Sequence, residues 1–316
     1  MENIKIRSKA DGLELDTLCC MAESPKAVLQ LCHGMVEHKE RYIPVMEYLA
    51  ENGVTSFLHD MRGHGKSIKD PEDIGYFYAG DKYACIEDLK TINEHIHETC
   101  PDLPVFLLGH SMGSLEVRAY LKKYDSTIDG LIVTGCPSPV SGAAAGSLLV
   151  KVLSLIKGQR YRSNFLNKMV LGAYNAPFTG EGPSEHNWLT KDRENVAAYD
   201  VDPLCGFTFT TNGFSVLMEM MKTNYTDKGW NCTRPDLPII FLSGEDDPCR
   251  GDRKAFRRAI NFLKRAGYNK VDYKLYPGLR HEILKEQSAP YVKEDVLGFI
   301  INHLPGKQDS AETQAE

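Results

Sequence analysis

The sequence predicts an α/β fold in which helices cover both faces of a mostly parallel sheet. Short apolar runs alternate with segments of helical spacing through the first half of the chain, and again after residue 238. The early runs are apolar throughout, as expected of strands buried on both faces. Turns that carry glycine or histidine follow three of these runs, at the strand ends where such sheets bind ligands.

The predicted elements follow one another in a simple order. The first two strands, at residues 4–9 and 13–21, flank an Asp11-Gly12 turn and should pair as a hairpin. Further strands are expected at residues 27–32, 54–59, 104–108, 131–134, 239–242 and 271–276. Helices are expected at residues 43–53, 81–99, 111–124, 254–266 and 291–303, and a loop at 68–79.

The alternation is lost between residues 141 and 204. Residues 147–156, SLLVKVLSLI, predict a helix that is apolar around most of its circumference, and the polar stretch TGEGPSEHN follows it. We interpret 141–204 as a cap over the strand ends, inserted into a core formed by residues 1–140 and 205–305. Residues 306–316 are expected to form a disordered tail.

Composition limits the partners and the compartment. The net charge of −6 over 316 residues provides no basic excess for nucleic acid, which we do not expect as a partner. The nine cysteines are odd in number and form no CxxC pair, which favours reduced, buried thiols in a cytoplasmic protein. The N-terminal residues lack the apolar run of a signal peptide, and the apolar stretch 142–156 is too short to span a bilayer.

One motif indicates a nucleophile. Residues 105–121 read VFLLGHSMGSLEVRAYL, where an apolar strand runs into G-x-S-x-G and then into a helix. A serine hydroxyl needs a base, an orienting acid and oxyanion donors. A sharp strand-to-helix turn would lift Ser111 out of the sheet, and glycines at 109 and 113 would let neighbouring backbone approach.

The other parts of such a site follow at strand ends. His281 lies on a loop after the strand at 271–276, and either Asp246 or Asp247 follows the strand at 239–242, in the order serine, acid, histidine. The oxyanion donors are expected to be the N–H groups of Met112, next after the serine, and of Met35, after the His33-Gly34 pair.

Five segments together carry a family resemblance: HGMVEHKERY, DMRGHGKS, GHSMGS, GEDDP and PGLRHEIL. The chain resembles α/β-hydrolases of the monoacylglycerol lipase and lysophospholipase group, which are similar to serine aminopeptidases of the S33 type, from about residue 27 to 304. The resemblance implies an α/β-hydrolase fold with an inserted helical cap. It implies Ser111 as nucleophile, His281 as base and then acid, and Asp247 as its orienting partner. It also implies Met35 and Met112 as oxyanion donors.

The resemblance is less specific for the substrate. Glu37 and Arg41 match two residues that hold the glycerol in monoacylglycerol lipases, or they form a structural ion pair beside the loop. The third such residue is a histidine three places after the catalytic one, where this chain has Leu284. That departure weakens the expectation of monoacylglycerol as the substrate.

No cofactor or metal is expected. DMRGHGKS lacks the spacing of a phosphate-binding loop, and the spacing of His33 and Glu37 breaks the zinc motifs H-E-x-x-H and H-x-x-E-H. Cys249, two residues after Asp247, is interpreted as a packed cysteine more readily than as a thiol of the site.

We therefore expect a serine hydrolase that cleaves carboxylic esters of lipid-like monoesters, such as a lysophospholipid or monoacylglycerol, through an acyl-enzyme. Alternatives are a thioesterase, aminopeptidase or C–C hydrolase on the same fold, or a non-catalytic protein that binds a small ligand. Residues 148–156 either touch lipid surfaces transiently, with Lys151, Lys157, Arg160 and Arg162 near head groups, or are simply cap core.

Overall fold

The protein, described here from a computed structural model, contains an eight-stranded sheet. The structure describes residues 1–78, 82–139 and 143–305. The predicted tail at 306–316, the predicted helix start at residue 81 and the proposed cap boundary at 140/141 lie outside the described residues.

The strands are β1 (Glu2–Arg7), β2 (Glu14–Cys20), β3 (Ala27–Cys32), β4 (Val54–His59), β5 (Val105–His110), β6 (Gly130–Thr134), β7 (Ile239–Gly244) and β8 (Val271–Tyr276). Their order in the sheet is β1-β2-β4-β3-β5-β6-β7-β8. The first two strands form the expected antiparallel hairpin, and β2 pairs antiparallel with β4. The remaining neighbours are parallel, so the predicted fold class is confirmed.

The helices are α1 (Ile43–Glu51), α2 (Lys82–Thr99), α3 (Met112–Tyr124), α4 (Ala143–Lys157), α5 (Asn164–Asn175), α6 (Arg193–Val201), α7 (Thr211–Asn224), α8 (Arg253–Arg265) and α9 (Tyr291–Asn302). Side chains of α1 and α9 share one apolar core, and those of α2, α3, α7 and α8 share another. The sheet is therefore covered on both faces, as the apolar strands require.

The strand register brings several loops together at one edge of the sheet. Cys32, the last residue of β3, lies level with Gly109 of β5, and His110 lies level with Thr134 of β6. The loop that begins at His33 therefore lies beside the turn that carries Ser111. Strand β7 ends at Gly244 next to the end of β8, which places the loops with Asp247 and His281 at the same edge.

Candidate active site

Ser111 lies at a strained turn between β5 and α3. Its φ is 52° and its ψ is −116°, a conformation that costs a non-glycine residue about 1–3 kcal/mol. A side chain at Gly113 would overlap the carbonyl oxygens of Cys32 and His33. One at Gly109 would lie 2.5 Å from the carbonyl oxygen of Gly113. The glycines of G-x-S-x-G are thus explained by close packing against the turn.

Ser111, His281 and Asp247 form a continuous hydrogen-bonded chain. His281 Nε2 lies 2.8 Å from Ser111 Oγ, and His281 Nδ1 lies 3.0 and 3.1 Å from the carboxylate oxygens of Asp247. His281 and Asp247 are each 2% exposed. Because the carboxylate only accepts, Nδ1 carries the ring proton and Nε2 offers a lone pair to the serine hydroxyl. This geometry allows His281 to take the proton of Ser111.

The two neighbouring aspartates have different surroundings. Asp247 begins a 3₁₀ turn after β7, where one carboxylate oxygen accepts a hydrogen bond of 2.8 Å from the Cys249 N–H. The side chain of Asp246 is 44% exposed and pairs with Lys191 at 3.1 Å. Of the two candidate acids, Asp247 is the one that contacts His281.

Asp247 is held in its ionised form. Burial acts to raise its pKa, but the charge and hydrogen bond of His281 and the hydrogen bond from the Cys249 N–H outweigh that effect. The pKa of Asp247 therefore lies below its usual value. The fixed negative charge orients the ring of His281 and would stabilise it when it is protonated.

Two aromatic rings pack against the imidazole of His281. The ring centroids of Trp188 and His110 lie 4.8 and 4.7 Å from it. Burial lowers the pKa of His110 to about 3, so that ring is neutral near pH 7. Trp188 lies between α5 and α6 and covers His281 from the side of the predicted cap.

The two expected oxyanion donors lie on neighbouring loops. Met112 is the first residue of α3, and Met35 follows Gly34 in the loop after β3. The neighbouring N–H groups are engaged: Gly34 N–H donates to Glu37 at 2.6 Å, and Val36 N–H to His64 at 3.2 Å. Among the described residues we find no acceptor for the N–H groups of Met35 and Met112, which leaves both available to an oxyanion.

A buried cluster of four charges lies behind this loop. Arg41 Nη1 is 2.6 Å from Glu37 and 2.5 Å from Glu282, and Arg41 Nη2 is 2.8 Å from the second oxygen of Glu282. Lys285 contacts both carboxylates, at 2.8 Å in the case of Glu282. The cluster therefore joins the loop after β3, through Glu37, to the loop of His281, through the adjacent Glu282.

Both carboxylates of the cluster are ionised. Burial acts to raise the pKa of Glu282, but the charges of Arg41 and Lys285 lower it to about 2. Burial also acts to raise the pKa of Glu37, but the charges of Lys285 and Arg41 outweigh it, and the pKa of Glu37 lies well below the usual value. Two anions and two cations balance, which is how buried charges are tolerated.

The three residues proposed for substrate binding have different positions. Glu37 lines the cavity described below, whereas Arg41 and Leu284 are not among its lining residues. Arg41 stacks on the ring of Tyr199, with 4.7 Å from Cζ to the ring centre. Leu284 is 6% exposed and packs in the core of α1 and α9.

A cavity of about 1050 Å³ opens onto Ser111 and His281. Its apolar lining comes largely from α4, α5 and α7, including Leu149, Val170 and Met218. Its charged or polar lining includes Glu37, Glu282 and His186. The volume and the apolar walls suit a ligand with a hydrocarbon part.

Two groups of metal-ligand types occur among the described residues: His38, Asp202 and Cys205, and Glu37, His110 and Glu282. Within each group the candidate ligand atoms lie within 4.8 Å of one another. In the second group, Arg41 and Lys285 already neutralise both carboxylates. In the first, His38 Nε2 already pairs with Asp202 at 2.8 Å.

Several site residues carried no signal in the sequence. Trp188, Tyr199 and His186 come from a segment that matches no motif, and they reach the site only through the packing of α5 and α6. Lys285 follows His281 by four residues, but its pairing with Glu37 joins segments 248 residues apart. For Trp188, Tyr199 and His186 the sequence indicated only that the whole segment 141–204 should cover the strand ends.

Comparisons with known proteins show the family to which the chain belongs. The family model described as serine aminopeptidase, S33, matches residues 23–288. The chain is 27% identical over 283 residues to the monoacylglycerol lipase of Mycolicibacterium smegmatis. The alignment covers 89% of this chain and 90% of the relative. It is 24% identical over 267 residues to human monoglyceride lipase, covering 83% and 78%.

Solved structures show the same fold. A thermostable carboxyl esterase from Bacillus coagulans, in complex with glycerol, superposes with a TM-score of 0.88 at 24% identity and covers 96% of this chain and 98% of its own. Within the described part of this chain, no helix has the length and apolarity needed to cross a membrane. The chain is a member of the serine aminopeptidase S33 family of α/β-hydrolases.

Proposed function

We propose that the protein is a serine hydrolase that cleaves the ester bond of lipid-like monoesters, a monoacylglycerol or a lysophospholipid. The proposal rests on the hydrogen-bonded triad of Ser111, His281 and Asp247, in which 2.8 Å separate Ser111 Oγ from His281 Nε2. The large apolar cavity beside Ser111 favours a substrate with an acyl chain. Several curated relatives are named monoacylglycerol or monoglyceride lipases, which supports the same substrate class.

The reaction proceeds through an acyl-enzyme. Ser111 Oγ attacks the ester carbonyl while His281 Nε2 takes its proton, and the oxyanion accepts hydrogen bonds from the N–H groups of Met35 and Met112. His281 then protonates the leaving alcohol. Water attacks the acyl-serine by the same route and releases the fatty acid. Asp247 holds the neutral imidazole in the tautomer that presents Nε2 to the attacking hydroxyl, and it stabilises the ring while it is protonated.

The test combines covalent labelling with a substrate series. Intact-protein mass after fluorophosphonate treatment should show one adduct in the wild type and none in Ser111→Ala. The same variant should lower kcat for p-nitrophenyl esters by roughly 10⁴–10⁶-fold. Ser126→Ala, at an exposed serine in the 3₁₀ turn after α3, is the matched control.

The outcomes separate the alternatives. Turnover that rises with acyl length from C2 to C16 supports a lipid ester. Labelling with preferred turnover of a thioester, a peptide or a C–C substrate would favour another hydrolase of the same fold. Absence of an adduct on folded wild-type protein would overturn the catalytic proposal in favour of a binding protein.

We also propose that residues 141–204 act as a cap that touches lipid surfaces. Four side chains of α4 at helical spacing, Leu148, Val152, Leu155 and Ile156, are between 42% and 78% exposed. Lys151 and Lys157 lie exposed on the same helix. Arg160 and Arg162 instead bind the protein itself, through Asp73 and through backbone carbonyls of residues 72, 74 and 208.

A further inference from the structure

A second histidine–aspartate pair faces the cavity from the segment between β6 and β7. His186 lines the cavity, and its Nδ1 lies 2.6 Å from Asp200 Oδ1 near the end of α6. The backbone N–H of His186 donates to Ser184 Oγ at 2.9 Å, which fixes the backbone at this point. The imidazole packs against Tyr199 with 4.7 Å between ring centres. The ring is therefore held in one orientation.

The pair leaves one acceptor unused. The carboxylate of Asp200 accepts, so in the neutral ring Nδ1 of His186 carries the proton and Nε2 has the lone pair. In the described part of the chain, no hydrogen-bond partner of Nε2 is found, and the side chain is 28% exposed. An acceptor with no partner at the wall of a cavity is available to a ligand.

His186 lies beside the loop that follows β3. Tyr199, which packs on His186, donates its hydroxyl to the carbonyl oxygen of Val36 at 3.0 Å. The same ring stacks with Arg41, whose guanidinium binds Glu37 and Glu282. His186 is thus at the polar part of the cavity, whereas α4, α5 and α7 supply apolar walls.

We propose that His186, oriented by Asp200, is a specificity-determining residue that accepts a hydrogen bond from a hydroxyl of the substrate's alcohol part. This inference rests on the proposed function. The carboxylates of Glu37 and Glu282 are already engaged by Arg41 and Lys285. A polyol such as a glyceryl group brings extra hydroxyls into the cavity, each of which needs an acceptor there because an unpaired hydroxyl disfavours binding, and Nε2 of His186 is an acceptor with no protein partner among the described residues. The preferred substrate class is therefore a fatty monoester of a polyol rather than of a simple alcohol.

Transfer of the acyl group from Ser111 to an added alcohol tests the part of the cavity that binds the alcohol of the substrate, here called the alcohol site. When a p-nitrophenyl ester acylates Ser111, glycerol competes with water for the acyl group. His281 takes the proton of the attacking glycerol hydroxyl, the new C–O bond forms, and the bond to Ser111 Oγ breaks as His281 returns the proton to it. The ratio of monoacylglycerol to free fatty acid then reports the alcohol site, and it does not depend on how fast the acyl-enzyme forms.

Replacing the acceptor should change this ratio. We expect His186→Leu to lower the transfer to glycerol relative to water by about threefold to tenfold, and Asp200→Asn to lower it by less, as expected for loss of one hydrogen bond. The kcat/KM ratio of a glyceryl ester to the methyl ester of the same acid should fall by the same factor. His303→Leu, at the end of α9, is the matched control and should keep both ratios.

Two results would overturn the inference. One is an unchanged transfer ratio in folded His186→Leu, with folding verified by circular dichroism. The other is a wild-type enzyme that prefers the methyl ester to the glyceryl ester. Failure of the proposed function looks different, because the wild type would then release no p-nitrophenol and form no fluorophosphonate adduct.

Discussion

At the scale of single residues, backbone context decides which of two adjacent acids can serve the histidine. Nothing in the letters GEDDP separates Asp246 from Asp247, and the choice came from a family resemblance. In the structure, the 3₁₀ turn after β7 directs Asp247 inward to His281, and Asp246 outward to Lys191. The same limit applies to His186, which matches no motif.

Asp247→Asn tests this assignment. An asparagine can present its N–H₂ to His281 Nδ1 and stabilise the wrong tautomer, and it removes the charge that stabilises the protonated ring. We expect kcat for a p-nitrophenyl ester to fall by roughly 10³–10⁴-fold, measured under saturating substrate. Asp246→Asn should stay within about twofold. Equal losses in the two variants would contradict the assignment.

At the scale of elements, strongly periodic segments were predicted well and capped helices without a clear period were missed. The predicted strand at 104–108 extends to β5 (Val105–His110), and the predicted helix at 147–156 lies within α4 (Ala143–Lys157). Helix α7 (Thr211–Asn224) was not predicted, although Thr210 caps it by accepting from the Gly213 N–H at 3.2 Å. The glycine and polar residues in its sequence interrupt the helical period of the apolar residues, so the pattern does not indicate the face that packs on α3 and α4.

The apolar residues of α4 lie on two faces of the helix with different surroundings. Val150 is 1% exposed and Leu149 lines the cavity, whereas Leu155 and Ile156 are 78% and 71% exposed. Core packing thus explains one face of the helix, and the other face is the proposed lipid contact. Whether the exposed face is a membrane contact could not be predicted, because a sequence pattern does not indicate what covers a face.

A charge placed on the exposed face of α4 should weaken binding to lipid. We expect the double variant Leu155→Glu/Ile156→Glu to lower co-sedimentation with vesicles of phosphatidylcholine and phosphatidylserine by at least about tenfold, since two apolar side chains lose their transfer free energy. Val201→Glu, at an 82% exposed valine on α6, is the matched control. Equal binding by the double variant and the wild type would exclude this face as the contact.

At the scale of the whole molecule, the sequence predicted the positions that the sheet topology brings together, but not the charges that join them. Turns at the carboxyl ends of β3, β5 and β7 were expected at one edge, and the register places them there. The cluster of Glu37, Arg41, Glu282 and Lys285 was anticipated only as a pair between the first two. Its other half comes from the loop of His281, and sequence spacing contains no information on a contact between such distant segments.

This cluster should make the stability of the protein sensitive to acid. The pKa of Glu282 is lowered from 4.5 to about 2, so its contribution is fully present above about pH 4.5 and is lost as the pH falls toward 2. Glu282→Gln leaves one buried cation without its anion and should lower the free energy of unfolding at pH 7 by about 3 kcal/mol, measured by urea denaturation. Between pH 5 and pH 3, the wild type should lose stability more steeply than the variant, so that the two curves approach each other. Glu23→Gln, at an exposed glutamate, should run parallel to the wild type, and a parallel Glu282→Gln curve would show that the charge of Glu282 does not stabilise the fold.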